Sequence, residues 1–396
     1  MKILFCHNFY QRPGGEDQVY HDECWLLEHY GHQVLRYEKS NDSLDDLGRL
    51  AMATKTLWNH QTYREIRDIV QSESPDIVHF HNTFPLISPS AYYAASRGGA
   101  AIVQTLHNYR TICPGATLLR DRESCHHCVG RTFALAGIVH KCYRNSRSAT
   151  GVIATLNTWQ RIARTQQRLW NRAIALTEFS RQHFVESGLD PDKIVVKPNF
   201  VRPDPGFSNA KRIGAVFVGR LSKEKGIETL LDAWKNAAKD VPLKIIGDGP
   251  LKPLVTEAAA NNHAIQWLGQ IPFDKVLSEI GSARLLVFPS CWAETFGRSM
   301  IEAFATGTPV VASDMASMKE LITHGKTGLH FRTGDAEDLA TKILECVGNS
   351  HWYVDAGKAA RREFVERYSA EANVQQTMSI YEQAIKDKET AAGEKV

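Results

Sequence analysis

Two glutamates, Glu294 and Glu302, stand eight positions apart around a Phe-Gly pair, directly after the apolar run 285–289. This order predicts a strand, a loop with one acid, and an amphipathic helix over 298–305. A helix N-terminus at the carboxyl end of a strand presents backbone N–H groups where open α/β sheets hold anionic ligands. Eight residues of helix extend at most ~12 Å, which suits a sugar diphosphate between the two carboxylates.

A simpler interpretation makes Glu294 a helix cap and Glu302 a solvated helix position. Arg220 and Lys225 favour the ligand site instead. Both lie in the stretch 218–226, which follows the first predicted strand of the second half of the chain and precedes its first helix. A guanidinium and an ammonium at that sheet edge would neutralise a diphosphate, although the stretch taken alone is also an ordinary basic loop.

Glycines follow several other predicted strands. Gly247 lets a backbone approach a ligand, but a tight turn explains it equally well. Gly269 ends the next strand, with backbone groups placed to meet a base edge. In the first half, Gly14-Gly15 would turn backbone amides towards a ligand. His107 stands at a strand end, where a polar ring is better explained as a functional residue in a cleft than as a residue of the hydrophobic core.

Composition restricts the class of protein. A chain of 396 residues is expected to form two domains of about 200 residues each. Hydrophobic residues make up 43% and charged residues 23%, which is typical of a soluble globular protein and excludes a disordered one. We find no signal-peptide core and no run of eighteen apolar residues, so a cytoplasmic location is expected. Eight cysteines in a chain of this length do not indicate a disulfide scaffold.

Positive charge is concentrated in the segment 110–172. It contains eleven Lys and Arg against two Asp and Glu, a net +9, whereas the whole chain carries +3. Such a segment indicates nucleic acid, an anionic membrane surface or a phosphorylated substrate as partner. The segment lacks regular aromatic-basic interleaving, and the chain has no recognisable nucleic-acid module. We therefore expect a phosphorylated substrate or peripheral contact with the inner face of the cytoplasmic membrane, and no nucleic acid.

Short β-branched runs alternate with helix-length amphipathic stretches on both sides of a Pro-rich and Gly-rich linker at 201–209. This alternation predicts an α/β protein with two doubly wound domains in tandem. The predicted strands are 3–6, 34–37, 76–80, 101–106, 173–177 and 194–196, then 214–218, 243–246, 264–268, 285–288 and 309–312. The predicted domains are 1–198 and 199–368, followed by a helix at 369–388 that returns to the first domain and a disordered end at 389–396.

In chain order, these motifs resemble the retaining nucleotide-sugar glycosyltransferases of family 4, which have the GT-B fold. The residues that carry the resemblance are Gly14-Gly15, His107, Gly219-Arg220 with Lys225-Gly226, Gly247-Asp-Gly-Pro, Trp267-Leu-Gly269, and Glu294-x-Phe-Gly with Glu302. Each motif is weak alone, and their common order along essentially the whole chain is specific. The resemblance implies two Rossmann-like domains facing across a cleft, the first on the acceptor side and the second binding the nucleotide sugar.

The resemblance also implies roles for individual residues. Arg220 and Lys225 would bind the donor diphosphate, Glu294 the donor sugar and Glu302 the ribose, while His107 would reach the donor sugar from the acceptor side. The expected catalytic residues are Arg220, Lys225, Glu294 and His107. The expected donor-binding set comprises Gly14, Gly15, Gly219, Arg220, Lys225, Gly247, Gly269, Glu294, Thr295, Phe296, Gly297, Arg298 and Glu302. The stretch 313–320 departs from the Gly-Gly turn and Pro of many relatives, which leaves the shape of that loop open.

The implied activity is transfer of a hexose from a nucleoside-diphosphate sugar to a saccharide or lipid-linked saccharide, with retention, in surface polysaccharide or glycoconjugate biosynthesis. No metal would be required, because basic side chains and a helix N-terminus stabilise the leaving diphosphate. The acidic pairs Asp45-Asp46 and Asp190-Pro-Asp192 are predicted in helix or turn contexts rather than at strand ends. This placement argues against an Asp-x-Asp metal site.

Four cysteines, Cys113, Cys125, Cys128 and Cys142, lie within the basic segment. Their spacing, with one Cys-x₂-Cys pair, is similar to that of a structural zinc site. Reduced thiols or disulfides are the alternative, since a second Cys-x₂-Cys pair is missing. Nearby, apolar residues at helical spacing between 153 and 170 alternate with arginines. They predict either a helix that lies in a membrane interface or a packed helix with a basic outer face.

Other classes of protein share the two-domain plan. A nicotinamide-dependent dehydrogenase is disfavoured, because Arg12-Pro-Gly-Gly-Glu-Asp replaces the Gly-x-Gly-x-x-Gly turn expected after the first strand. A nucleotide-sugar epimerase or hydrolase on the same two-lobed fold remains an alternative. So does a protein that binds a sugar nucleotide without catalysis.

Overall fold

The computed structural model describes residues 1–11, 14–44, 48–121, 123–208, 210–236 and 238–393. They form two compact units. The first unit consists of Met1–Arg120, Cys125–Pro198 and the residues from Asn373 onward, and the second of Asp121–Ser124 and Asn199–Ala372.

A six-stranded parallel sheet in the order β2-β1-β3-β4-β7-β8 forms the centre of the first unit. Its strands are β1 (Lys2–Phe9), β2 (Gln33–Ser40), β3 (Ile77–Phe80), β4 (Ala101–Leu106), β7 (Arg172–Ala175) and β8 (Ile194–Val196); β5 (Leu119–Arg120) and β6 (Glu123–Ser124) lie outside it. Residues 3–6 of β1 are fully buried, as expected for a parallel strand covered on both faces.

Within the described residues, the part of the first unit that precedes Asn199 has eight helices. They are α1 (Gly15–His29), α2 (Arg49–Leu57), α3 (His60–Glu73), α4 (Ser90–Arg97), α5 (Leu135–Val139), α6 (Arg147–Ile162), α7 (Thr165–Leu169) and α8 (Glu178–Glu186), with 3-10 turns at Asn41–Leu44 and Pro191–Lys193.

The second unit is also centred on a six-stranded parallel sheet, in the order β11-β10-β9-β12-β13-β14. The strands are β9 (Ala215–Val218), β10 (Leu243–Ile246), β11 (Ile265–Gly269), β12 (Leu285–Phe288), β13 (Val310–Ser313) and β14 (Gly328–Phe331). The helices are α9 (Ile227–Lys235), α10 (Lys252–Asn261), α11 (Phe273–Ser282), α12 (Arg298–Thr306), α13 (Ala316–Leu321), α14 (Ala336–Gly348) and α15 (Ser350–Arg367), with a 3-10 turn at Lys223–Lys225.

Strand order reverses direction between β1 and β3 in the first sheet and between β9 and β12 in the second. The predicted α/β class with two doubly wound, Rossmann-like halves is therefore confirmed. In such sheets, ligands bind in the crevice at the carboxyl ends of the strands where the order reverses. The strand β14 was not predicted, because it begins with a glycine, which is depleted in strands. That glycine is required, since a Cβ at Gly328 would lie 2.0 Å from the carbonyl oxygen of Val310.

The last helix, α16 (Ala370–Gly393), belongs to the first unit from Asn373 onward. The side-chain amide of Asn373 donates a hydrogen bond to the carbonyl of Pro198, and Asp387 pairs with Arg172 at 2.8 Å. The predicted disordered end is wrong for residues 389–393, which continue the helix; 394–396 lie outside the described residues. Alanines at 391 and 392 favour the helix, and the Thr390 hydroxyl donates to the carbonyl of Lys386. None of the described helices combines the length and the apolar character that a membrane crossing requires.

Candidate functional site

Lys225 and Glu294 meet at the carboxyl edge of the second sheet, where the strand order reverses. Lys225 ends the 3-10 turn after β9, and Glu294 lies in the loop after β12. The Lys225 Nζ is 2.6 Å from the Glu294 Oε1, and the Ser290 hydroxyl donates to the same oxygen at 2.7 Å. Glu294 is buried, and Gly297 caps α12, so the interpretation of Glu294 as a helix cap is wrong.

The loops after β9 and β12 are in direct backbone contact. Gly226 has φ 72°, and a Cβ there would lie 1.8 Å from the carbonyl oxygen of Pro289. The Cys291 amide donates to the carbonyl of Glu224 at 2.8 Å. Only glycine fits at position 226, because its φ is left-handed and no side-chain atom has room. This contact places Lys225 within reach of Glu294.

The N-terminus of α12 lies beside this pair. Its cap, Gly297, has φ 95° and no side chain of its own to bond to the first-turn amides. The Ser317 hydroxyl donates to the carbonyl of Phe296 at 3.0 Å and so supports the loop from behind. Ser317 belongs to the stretch that departs from the pattern of the relatives, and Ala316 just before it has φ 48°. The start of α13 in this stretch therefore supports the loop that carries Thr295 and Phe296.

Glu302 is not solvated, so that interpretation is also wrong. It is 6% exposed, and its Oε1 lies 3.0 Å from the Nε of Arg298, one turn earlier on α12. The Arg298 guanidinium lies over the ring of Phe273, 5.3 Å from its centre. Both members of the Glu294 and Glu302 pair are thus buried carboxylates, each next to a basic side chain.

Glycines at the carboxyl ends of β9, β10 and β11 allow the three turns there to pack against one another. A Cβ at Gly247 would lie 2.0 Å from the carbonyl oxygen of Gly219. The Gly247 amide donates to the carbonyl of Gly269 at 2.8 Å, and the Trp267 indole donates to the carbonyl of Gly247. The tight-turn explanation of Gly247 thus describes its observed role, and the Gly269 carbonyl already accepts a bond within the protein. Arg220, one position after Gly219, is exposed at the same edge.

In the first unit, His107 follows β4 and touches a second histidine. Its Nε2 lies 2.9 Å from the Nδ1 of His81. Burial, reinforced by the neighbouring His81, lowers the pKa of His107 well below its ordinary value. The imidazole is therefore neutral near pH 7, and its hydrogen-bonding role depends on which nitrogen carries the proton.

A buried ionic network lies behind His81. The Nε2 of His81 is 3.4 Å from the Oε2 of Glu23, whose Oε1 lies 2.7 Å from the Nζ of Lys197. Burial opposes ionisation of Glu23, but Lys197, His81 and His79 outweigh it and hold the pKa of Glu23 well below its ordinary value. We assign the His81 Nε2 proton to the side of the ionised Glu23, which makes the His81 Nδ1 the acceptor of the His107 Nε2 proton.

Sequence reasoning missed this network. Glu23 lies on the buried face of α1, among Cys24, Leu26 and Leu27, and a charge among core positions was the available signal. Glu23, His79 and His81 also form the one group of three potential metal ligands found within 4.8 Å of one another among the described residues. Because Lys197 occupies one carboxylate oxygen and Tyr381 hydrogen-bonds to His79, we interpret the group as a structural charge network.

Gly14 caps α1, which begins at Gly15. The Gly14 amide donates to the Asp17 Oδ2 at 2.8 Å, and the Asp17 Oδ1 lies 2.7 Å from the His7 Nε2. Of the two amides that were expected to face a ligand, that of Gly14 is thus engaged by Asp17. Arg12, in the same loop, lies outside the described residues.

A polar cavity of about 70 Å³ lies within the first unit, next to His107. Its lining includes His81, Asn108, Arg110, Asn157 and Gln160. The Arg110 guanidinium lies over the ring of Phe84, 4.3 Å from its centre. Amide, imidazole and guanidinium groups around one cavity suit a ligand rich in hydroxyl groups.

The arginine-rich stretch near 153–170 forms α6 and α7, which pack into the first unit. Ile153, Leu156 and Trp170 are buried, whereas Ile162 is 71% exposed. The alternative of a packed helix with a basic outer face fits these positions better than a helix lying in a membrane interface. Asp190 caps the 3-10 turn Pro191–Lys193 by accepting from the Asp192 amide; Asp45 and Asp46 lie outside the described residues.

Two family models match the chain. The model described as "Glycosyltransferase Family 4" matches residues 14–205, and the one described as "Glycosyl transferases group 1" matches residues 203–363. The phosphatidyl-myo-inositol mannosyltransferase of Mycobacterium leprae is 31% identical over 242 residues, 58% of this chain and 63% of that protein. The chain thus spans less than two thirds of that relative. An uncharacterized glycosyltransferase of Methanocaldococcus jannaschii is 26% identical over 97% of this chain and 98% of its own.

Solved structures share the fold. Sucrose-phosphate synthase from Thermosynechococcus elongatus superimposes with a TM-score of 0.70 at 16% identity, over 96% of this chain and 98% of that one. Anabaena HepE in complex with UDP-glucose gives 0.67 at 18% identity, over 96% and 99%.

Proposed function

The chain belongs to the family 4 glycosyltransferases, and on that premise we propose that it transfers a sugar from a nucleoside-diphosphate sugar to a saccharide or lipid-linked saccharide. We further propose that the transfer retains the anomeric configuration, requires no metal, and serves surface polysaccharide or glycoconjugate biosynthesis. The observation that carries the proposal is the pair of the half-buried Lys225 with the buried Glu294 at the point of strand reversal in the second sheet.

The donor diphosphate binds, in this proposal, between the end of β9 and the N-terminus of α12. Arg220 is exposed there, and Lys225 has further N–H groups to offer besides the one on Glu294. The N-terminus of α12, capped by Gly297, presents backbone N–H groups beside them. Arg220, Lys225 and the α12 N-terminus thus supply positive charge that stabilises the leaving diphosphate, which gains negative charge as the glycosidic bond breaks.

Glu294 serves to hold hydroxyl groups of the donor sugar rather than to attack its anomeric carbon. Lys225 and Ser290 both occupy its Oε1, so its Oε2 is the oxygen left to accept from a sugar hydroxyl. In the step we propose, the acceptor oxygen forms a bond to the anomeric carbon on the face that the diphosphate leaves. The acceptor proton passes to a phosphate oxygen of the leaving group. Glu302 would bind the ribose hydroxyls at the other end.

The acceptor binds, in this proposal, in the polar cavity of the first unit. The neutral imidazole of His107 lines this cavity, and Asn108 and Asn157 supply amide groups to it. Arg110 would suit an anionic group, such as a phosphate that links a saccharide to a lipid.

Peripheral membrane contact would bring such a lipid-linked acceptor to the first unit. The neighbouring helices α2, α5 and α6 each expose apolar side chains: Leu50, Leu135 and Val139, and Ile162. Exposed arginines, including Arg49 and Arg147, lie on the same helices. Apolar side chains among basic ones suit an anionic bilayer surface. Co-sedimentation with anionic and with neutral vesicles checks this contact.

The decisive experiment incubates the protein with a panel of nucleotide sugars, with and without free and lipid-linked saccharides. UDP-glucose is the first donor to test, because HepE was crystallised with it. We expect nucleotide release that depends on acceptor, together with a lengthened product whose new linkage retains the donor's anomeric configuration. Conversion of the donor into another nucleotide sugar would indicate an epimerase instead. Acceptor-independent release would indicate a hydrolase, and binding without turnover a non-catalytic protein.

A further inference from the structure

Three separate segments of the chain between β4 and α6 meet at the four cysteines. A Cβ at Gly115 would lie 3.2 Å from the Cys142 carbonyl oxygen and 3.8 Å from the Cys113 Sγ. A Cβ at Gly137 would lie 3.1 Å from Pro114 and 3.6 Å from the Cys128 Sγ. Two glycines thus allow residues 113–115, 125–128 and 137–142 to approach one another closely.

All four thiols line one cavity of about 20 Å³, which is room for about one water-sized sphere. The other walls are mostly apolar and include Leu118 and Val129. All four cysteines are half-buried and free.

The backbone of this loop contains an unusual number of strained positions. Six non-glycine residues between Cys113 and α6 have left-handed φ values of 50° to 64°: Ala116, Leu118, Asp121, Lys141, Arg144 and Asn145. Such conformations persist where the surroundings enforce them. The regular structure nearby is slight, namely the two-residue strands β5 and β6 and the five-residue α5. A cross-link at the cysteines would hold these left-handed backbone conformations in place.

We propose that Cys113, Cys125, Cys128 and Cys142 bind one zinc ion as thiolates, and that this ion orders the loop from residue 107 to residue 146. Four sulfur ligands close a tetrahedral site and leave no open coordination position, so the ion is structural. Binding displaces the thiol protons to solvent. Thiolate sulfur selects zinc over the oxygen-preferring Mg²⁺ and Ca²⁺.

Zinc binding requires the sulfurs to draw together. No three of the four sulfurs all lie within 4.8 Å of one another. In a tetrahedral site, Zn–S bonds of about 2.3 Å set S–S distances of ~3.8 Å. Rotation about each Cα–Cβ bond moves a sulfur without moving the backbone. His127 also lines the cavity but is exposed, and four sulfurs complete the site without it.

The test measures metal in the full chain, purified with a thiol reductant and without chelator. We expect about one zinc per chain. Cys125→Ala and Cys128→Ala should each lose most of it, while Cys346→Ala, which removes a buried thiol from the second unit, and His127→Gln should retain it. Alanine is used because a serine hydroxyl could still bind the metal weakly.

A second measurement does not depend on the folding of any variant. Reduced wild-type protein, freed of metal, is titrated with Co²⁺; we expect saturation at one equivalent, with the visible bands of tetrahedral cobalt and a sulfur-to-cobalt charge-transfer band. Wild-type protein without zinc and without these bands would overturn the proposal. So would disulfides among the four cysteines in the reduced preparation, an iron cluster in place of zinc, or zinc retained by both loop variants. None of these readouts uses sugar transfer, so they stand apart from the proposed function.

Discussion

The Nζ of Lys225 lies 2.6 Å from the Oε1 of Glu294, although 69 positions of chain separate the two residues. The ammonium also lies 5.5 Å from the centre of the Trp292 ring. The pair joins the side chain expected on the diphosphate to the one expected on the sugar. A donor that binds here therefore meets a lysine already oriented by a carboxylate, with further N–H groups to offer.

Removing either proposed phosphate contact should slow sugar transfer. We expect Arg220→Ala and Lys225→Ala each to lower kcat/KM by about 10²-fold or more, because a preorganised charge on the leaving group is lost. Lys223→Ala is the matched control, since Lys223 is an exposed lysine in the same turn. The measurement is steady-state kinetics with the donor found in the panel. Wild-type rates in both variants would contradict the phosphate assignment.

Transfer should not depend on a soluble divalent cation. Basic side chains and the α12 N-terminus supply the positive charge that Mg²⁺ or Mn²⁺ would otherwise provide. We expect the initial rate to be the same with and without EDTA over a few minutes. An immediate loss of activity that Mg²⁺ or Mn²⁺ restores would show that the donor site needs a metal.

Breaking the buried Glu23–Lys197 pair should destabilise the protein. Glu23→Gln leaves Lys197, which is 1% exposed, without a charged partner, and such losses cost about 3–5 kcal/mol. Urea denaturation measures the change. Glu28→Gln is the control on the same helix, because its pair with Arg36 is exposed on both sides and should contribute roughly 0–1 kcal/mol. Equal effects of the two substitutions would mean that the buried network is not a special source of stability.

Glu16 should make stability depend on pH. Burial raises its pKa from 4.5 to about 7; Tyr10, Arg110 and Asn108 oppose this and Asp17 reinforces it. The folded value lies above the unfolded one, so between these values the folded state binds more protons. The contribution of Glu16 to stability therefore falls as pH rises from 4.5 to about 7.

Glu16→Gln removes this titration. The melting temperature of the variant relative to wild type should increase between pH 5 and pH 8, since other titrating groups cancel in the difference. A difference that stays constant over this range would contradict the raised pKa.

Ala316→Gly should stabilise the second unit. Ala316 has φ 48°, a left-handed conformation that costs a residue with a Cβ about 1 kcal/mol more than glycine. Greater freedom of glycine in the unfolded chain offsets part of this gain. We expect a small rise in melting temperature. Ala340→Gly, inside α14, is the contrasting control and should lower it.

Sequence patterns predicted the two doubly wound halves because alternating strands and helices leave a strong periodic signal. They also placed His107 at a strand end, as β4 shows. The burial of Glu294 could not be predicted, because its partner Lys225 is 69 positions away in the chain. Arg298 is one helical turn from Glu302, but the burial of Glu302 depends on the packing of α12 against α11 and α15. The glycines after β10 and β11 were equally ambiguous, since only the assembled turns show that Gly247 faces Gly219.

The return of α16 has a consequence for biosynthesis. The side chain of Asn373 reaches Lys197, and Tyr381 hydrogen-bonds to His79 on the third strand, so residues made after the whole second unit complete the interior of the first. A ribosome would therefore finish the second unit while the first still lacks part of its core. During synthesis the first sheet therefore stays partly exposed until α16 is made, about 300 positions downstream of His79. Chaperone contact during translation is expected to concentrate on that sheet rather than on the second one.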